Sequence, residues 1–169
     1  WTNFVGTIEL IESHLNEKCG FYARSIYGKT PIEQTSIPDE LTREQIRDEF
    51  VDKDSGLDIL IANPAACAES ISLHKTCRNA VYYDLSYNCA QYLQSLDRIH
   101  RVGGSEETVA NYYFLQYGNT VDQDILRNLR RKAERMSRII DQDFQIYSLD
   151  LLDDQDEELN AYDRLFRTK

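Results

Sequence analysis

Gln94, Arg98 and Arg101 are the residues whose types and spacing best suit chemistry. On one helix, Arg98 and Arg101 are three apart and share a face, and Gln94, four before Arg98, joins them. Two guanidiniums and an amide projecting near a helix end suit an oxygen-rich anion such as a polyphosphate. The competing reading is a solvated helix face. The helix itself, over 91–103, is read from its own signals. Asn88 can cap it, with Gln91 three positions later closing a capping box. Leu93, Leu96 and Ile99 form an apolar stripe, and Gly103-Gly104 stops it. His100 lies between the arginines in sequence but about 100° from them around the helix. It reads as a packing or hydrogen-bonding residue rather than a base.

Other stretches carry weaker signals. Gly28-Lys29-Thr30 resembles the end of a P-loop, but Ala23 stands where that motif needs a glycine, and Pro31 follows where it needs a helix. The chain therefore has no phosphate cradle of its own there. Asn63 to Leu73, rich in small residues, follows a buried strand and would let a ligand approach the backbone closely, or would simply pack tightly on a sheet. Asp84 at a strand end is read as a hydrogen-bonded turn aspartate before a metal ligand. His74 and Cys77 share a helical spacing, but two ligands do not make a site. Arg127, Arg130, Arg131, Lys132, Arg135 and Arg138 read as the solvated face of a long helix, with a phosphate-backbone contact as the alternative.

The elements that must position these residues follow from pattern. Trp1 to Phe4 reads as the tail of a strand, Thr7 to Lys18 as an amphipathic helix ended by Gly20, and Phe21 to Tyr27 as a strand. Thr42 and Gln45 cap a helix that runs to about Val51. Leu57 to Ala62 and Ala80 to Leu85 read as strands buried on both faces. A strand from about Thr108 to Leu115 precedes a helix from Val121 to about Gln142. Thr120 and Gln123 cap that helix, and its stripe is Val121, Ile125, Leu129, Met136 and Ile140. Strands alternating with helices predict a doubly wound parallel α/β sheet, with ligands beyond the carboxyl ends of the strands.

The totals set bounds. The 169 residues suit one globular domain, and a net charge of -10 leaves no global field for nucleic acid, so any such site is a local basic patch. Four scattered cysteines form no CxxC pair and read as reduced thiols, which points to the cytoplasm. No apolar run approaches membrane-spanning length, so no membrane partner is expected. Trp1 reads as lying mid-element, so a fragment of a longer chain is expected. Asp141 to Asp163 is strongly acidic, a solvated tail or a linker.

Taken in order, these pieces resemble the second RecA-like lobe of superfamily-two helicases, in particular the Swi/Snf-like ATPases that translocate on double-stranded DNA. Gln94, Arg98, His100-Arg101 and Gly103 are similar to that family's last motif. Ile59 to Leu73 resembles the preceding strand and turn, and Trp1-Thr2-Asn3-Phe4 the opening of the lobe. Tyr27 to Thr30, Arg43 with Phe50, Asp84 with Tyr87-Asn88, and Thr120 to Asp122 with Lys132 match weaker motifs in the right order. The resemblance covers about residues 1–142, with 143–169 an acidic C-terminal extension. Pro64, Cys67, Ala68 and Ser70 depart from the family's glycine-rich turn, a form reminiscent of prokaryotic members.

The resemblance implies a RecA-like sheet flanked by helices, with a long C-terminal helix and an acidic tail. It also implies half of an ATP site, completed by the first RecA-like lobe of the same parent chain, which would hold most of the Mg2+ contacts. Arg98 and Arg101 would be arginine fingers, with Gln94, Glu69 and Ser70 at the nucleotide. Asn3, Lys29 and Asn63 would touch double-stranded DNA. The alone fragment would be inactive as an ATP hydrolase. Alternatives are an RNA or single-strand helicase lobe, or a non-catalytic scaffold with a partner protein at its acidic end.

Overall fold

The computed structural model describes residues 1–37, 40–67, 71–100 and 109–141. The elements are α1 (Val5–His14), β1 (Ala23–Ile26), α2 (Arg43–Val51), β2 (Ile59–Ala62), β3 (Asn79–Tyr82), α3 (Cys89–Asp97), β4 (Asn111–Phe114) and α4 (Val121–Asp141). Helix and strand alternate as the pattern predicts except between β2 and β3, where no helix lies among the described residues. Two compact units emerge, one of Trp1–Asp84 with Gln94–Leu115, the other of Leu85–Leu93 with the chain from Gln116 onward. The division falls inside α3. Among the described residues no helix is long and apolar enough to cross a membrane.

In the first unit, β1 pairs with β2 and β3 with β4, both in parallel. Trp1 to Asn3 joins the two pairs. The Thr2 N–H donates to Ala62 O (3.2 Å), and the Tyr83 N–H donates to Trp1 O (2.9 Å). The reading of this stretch as a strand tail therefore matches its hydrogen bonds on both sides. Beside Trp1 the gap between β2 and β3 widens into a cavity of about 740 Å³, lined by Leu60, Ile61, Leu73, Ala80 and Ile99 among others. Among the described residues these bridging hydrogen bonds lie toward the carboxyl ends of the two pairs.

Helices flank β1 on opposite faces. Successive strand residues point to opposite sides. The Ser25 hydroxyl donates to Glu12 on α1, while Arg24 pairs with Glu49 on α2 at 2.7 Å. Ile8, Ala23 and Ile61 are buried together beneath α1. After α1 the chain makes one wide turn over Leu15–Cys19, and Gly20 at φ +72° ends it, because only glycine enters the left-handed region at no steric cost. The predicted capping box at α2 is present in full, with Gln45 N–H on Thr42 and the Gln45 side chain on Thr42 N–H.

Several boundaries differ from expectation. β3 is not buried on both faces, since Val81 is 48% exposed. α3 stops at Asp97 instead of running on through His100, and the reason is local. The Leu73 N–H donates to Arg98 O at 2.9 Å, and the Arg98 and Ile99 N–H groups bond three residues back rather than four. The carbonyl that would continue the helix is thus taken by a neighbouring segment. The last turn of α3 is held on the strands by a hydrogen bond between the Tyr82 and Ser95 hydroxyls and by Tyr112 OH on Leu96 O.

In the second unit, Asn88 Oδ1 accepts from the Gln91 N–H as expected. At α4 the Gln123 half of the expected box is shifted by one residue. Asn119 sits at φ +59°, and its N–H, rather than that of Thr120, meets Gln123 Oε1. The buried stripe of α4 includes Leu126 and Leu129, and also Lys132 at 3% exposure. Lys132 therefore leaves the basic face on which the sequence places it. It lies one turn from Leu129 and donates to Tyr87 O at 3.4 Å.

Candidate functional site

The candidate site is built where the carboxyl ends of β1, β2 and β3 meet the segment after Trp1. Each strand ends in a polar turn, and the turns are tied together by side chains.

Asn63 follows β2 directly. Its Nδ2 donates to Thr2 O (3.3 Å) and Asn3 O (3.0 Å), and its Oδ1 accepts from the N–H groups of Ala65 and Ala66. One amide thus shapes the turn and fastens it to the neighbouring segment. Asp84, just past β3, accepts from the Thr2 hydroxyl, from Asn3 N–H at 2.8 Å and from Asn3 Nδ2 at 2.7 Å. This is the hydrogen-bonded turn aspartate that the sequence suggested. Lys29 stands outside this web, with its side chain 73% exposed and paired to Glu9 at 3.0 Å. The Lys29 hydrogen bond holds the Glu9 carboxyl below its ordinary range.

Arg43, at the first position of α2, is the strongest cross-link. Its guanidinium donates to Thr30 O (3.0 Å), Ala66 O (3.0 Å) and Tyr27 O (3.3 Å), so it clamps the turn after β1 to the turn after β2. A planar fork with donors in fixed directions suits three carbonyls; an ammonium would not. The residues alone gave Arg43 no role. Its position just inside a capped helix was visible, but the carbonyls it reaches are far off in sequence.

Arg98 approaches the same region from the end of α3. Its Nη1 donates to Ile71 O at 3.2 Å. Beneath the turn, Cys67 is 1% exposed. Burial pushes its thiol up to about 12, against the pull of the Arg43 and Arg98 charges. Both guanidiniums therefore act on this turn electrostatically, and Cys67 is no nucleophile at neutral pH.

Of the other residues singled out in the sequence, Gln94 is exposed on α3. Glu69, Ser70 and Arg101 lie outside the described residues, as do Gly103 and the acidic stretch from 142 on. His100 is exposed beyond the helix end, not packed. Among the described residues no group of three or more His, Cys, Asp or Glu is placed to hold a metal ion.

The strand directions and this cluster define a parallel α/β lobe with polar turns gathered at the carboxyl edge, where ligands of such sheets collect. A solved structure with the same fold is the C-terminal part of the Fun30 ATPase domain. It matches 96% of this chain at a TM-score of 0.62 and 21% identity, and this chain spans 45% of that one's length. No family model matches the sequence, and no curated protein does.

Proposed function

We propose that this chain is the second RecA-like lobe, within a doubly wound parallel sheet, of an ATP-dependent translocase acting on double-stranded DNA. The observation that carries it is Arg98, which the end of α3 delivers to the backbone at Ile71, beside the turn that follows β2. Likeness of fold to part of an ATPase domain supports the same reading. In it, ATP binds between this lobe and a first lobe of the parent chain. Arg98 and Arg101 stabilise charge that develops on the transferred phosphoryl group. Gln94, Glu69 and Ser70 contact the nucleotide. Mg2+ when bound neutralises phosphate charge, and the first lobe holds it. Arg43 and Asn63 keep the turn in place, which matters because a donor misplaced by about 1 Å can cost about 10²-fold.

Asn3, Lys29 and Asn63 sit at the strand ends assigned to duplex DNA. Lys29 is the best placed, because the amides of Asn3 and Asn63 already serve Asp84 and the backbone. The acidic end from 143 on is assigned to a partner protein. The test is ATP turnover by the complete two-lobed protein, with and without duplex DNA, beside Arg98→Ala. DNA-stimulated turnover that collapses in the variant supports the reading. Turnover unchanged in Arg98→Ala and Arg101→Ala together overturns it. Stimulation by RNA alone would replace DNA as the track.

A further inference from the structure

The second unit has a polar concavity that the proposed ATP half-site does not use. It has a volume of about 470 Å³ and is lined by Gln116, Gln123, Arg127, Arg130, Arg131 and Glu134, with Leu126 at its base. We propose that this surface binds the phosphodiester backbone of duplex DNA, as a contact separate from the strand ends. It rests on the duplex-DNA reading above and adds a second point of attachment to it.

Three guanidiniums and two carboxamides face one concavity whose lining carries a single carboxylate, Glu134. Local structure builds this arrangement. Gln123, Arg127, Arg130 and Glu134 recur every three or four residues, and Arg131 is four after Arg127, so α4 presents all five along one side. Leu129 and Lys132 are buried on the other. The loop wall is fixed where Gln116 Nε2 donates to Asp122 O at 2.9 Å. Arg130 is steadied by Tyr92, whose hydroxyl it hydrogen-bonds. Arg127 is pre-set by Asp124 at 2.6 Å, but its side chain stays 71% exposed, and an exposed pair of this kind exchanges readily for another anion.

Guanidinium forks beside amide donors match phosphate oxygens, which accept two hydrogen bonds from one arginine. Arg127 and Arg131 are one turn apart, about 6 Å along the axis, a distance over which one DNA strand carries about two phosphates. Arg135 and Arg138, both exposed, continue the basic ridge along α4. With a net charge of -10 the chain has no global field that attracts DNA, so contact depends on local basic patches such as this one.

The experiment titrates a fluorescein-labelled, random-sequence DNA duplex with the 169-residue chain by fluorescence anisotropy, over a series of KCl concentrations. The variants are Arg127→Glu with Arg131→Glu, the milder Arg127→Gln with Arg131→Gln, and Lys29→Glu alone. Arg130 is left intact to preserve its Tyr92 bond, and circular dichroism melting checks each fold. The expected result is at least about a tenfold loss of affinity at low salt in the glutamate pair. The slope of log K on log salt should also fall by about two, with the glutamine pair intermediate. A glutamate pair that binds as the unchanged chain does overturns the proposal. If Lys29→Glu then loses binding, the strand-end reading survives alone. If the unchanged chain binds no duplex at low salt, both readings of DNA contact fall.

Discussion

The turns at the strand ends and the exposed side of α4 use polar side chains in opposite ways. At the strand ends, Asn3, Asn63, Asp84 and Arg43 spend their hydrogen bonds on the protein's own backbone and on one another. On α4, Arg127 and its neighbours line an open concavity around one carboxylate. The first arrangement fixes a shape; the second offers charge. Residue type does not tell them apart, since an arginine does the most work in each. What separates them is the acceptor within reach. Carbonyls at turn ends need donors, whereas a helix face has no spare carbonyls to give. Substitutions should therefore cost stability at the strand ends and binding on α4.

The largest expected effect is at Arg98. On the function proposed above, Arg98→Ala in the complete two-lobed protein should lower DNA-stimulated ATP turnover by about 10³-fold, read by steady-state hydrolysis. Arg98 also donates to Ile71 O, so a melting curve of the same variant is needed to separate loss of turnover from loss of fold. An equal loss of fold and activity would make Arg98 another clamp rather than a finger. Next is Arg43→Ala, which takes a donor from three carbonyls at once, although Tyr27 O keeps the Thr30 N–H. It should destabilise the chain by about 3 kcal/mol in urea unfolding, and Arg43→Lys should recover only part of that. Asn63→Ala follows at about 1–2 kcal/mol, because it undoes the turn and its tie to Asn3.

A pH effect comes from the same turn. Cys67 is held as the thiol up to about 12 in the folded chain, against an ordinary value of 9.0. The unfolded chain releases this proton first, so folding stability falls as pH rises from about 9 toward 12, and is fully present below 9. Cys67→Ala should flatten that decline. At pH near 8 a thiol reagent should label exposed Cys19 and spare buried Cys67 and Cys89, as mass spectrometry of the modified peptides would check.

Much of the framework was legible in sequence, and particular residues explain where legibility stops. Thr42 with Gln45, Gly20 and the parallel order of short apolar runs are local signals, and the structure has each of them. α3 was read too long because its end is set by Leu73, more than twenty positions away, which claims the Arg98 carbonyl. Lys132 was placed with the arginines by composition, though its angle on the helix puts it beside Leu129. Arg43 and Asn63 depend on carbonyls brought close only by the sheet, so their clamping role had no signal in sequence. Asp84, by contrast, was readable as a turn aspartate from its place at a strand end.

The smallest expected effect sharpens the comparison most. Arg127→Gln and Arg135→Gln, made singly, should each change unfolding free energy by less than about 0.5 kcal/mol, as exposed helix positions generally do. Arg127 exchanges its exposed ion pair with Asp124 for solvent, and glutamine keeps the helical preference. Urea melts of the two variants beside Asn63→Ala measure both halves of the contrast on one scale. If Arg127→Gln matched Asn63→Ala, the α4 side would be a cross-linked scaffold like the strand ends. The charge it carries would then be structural.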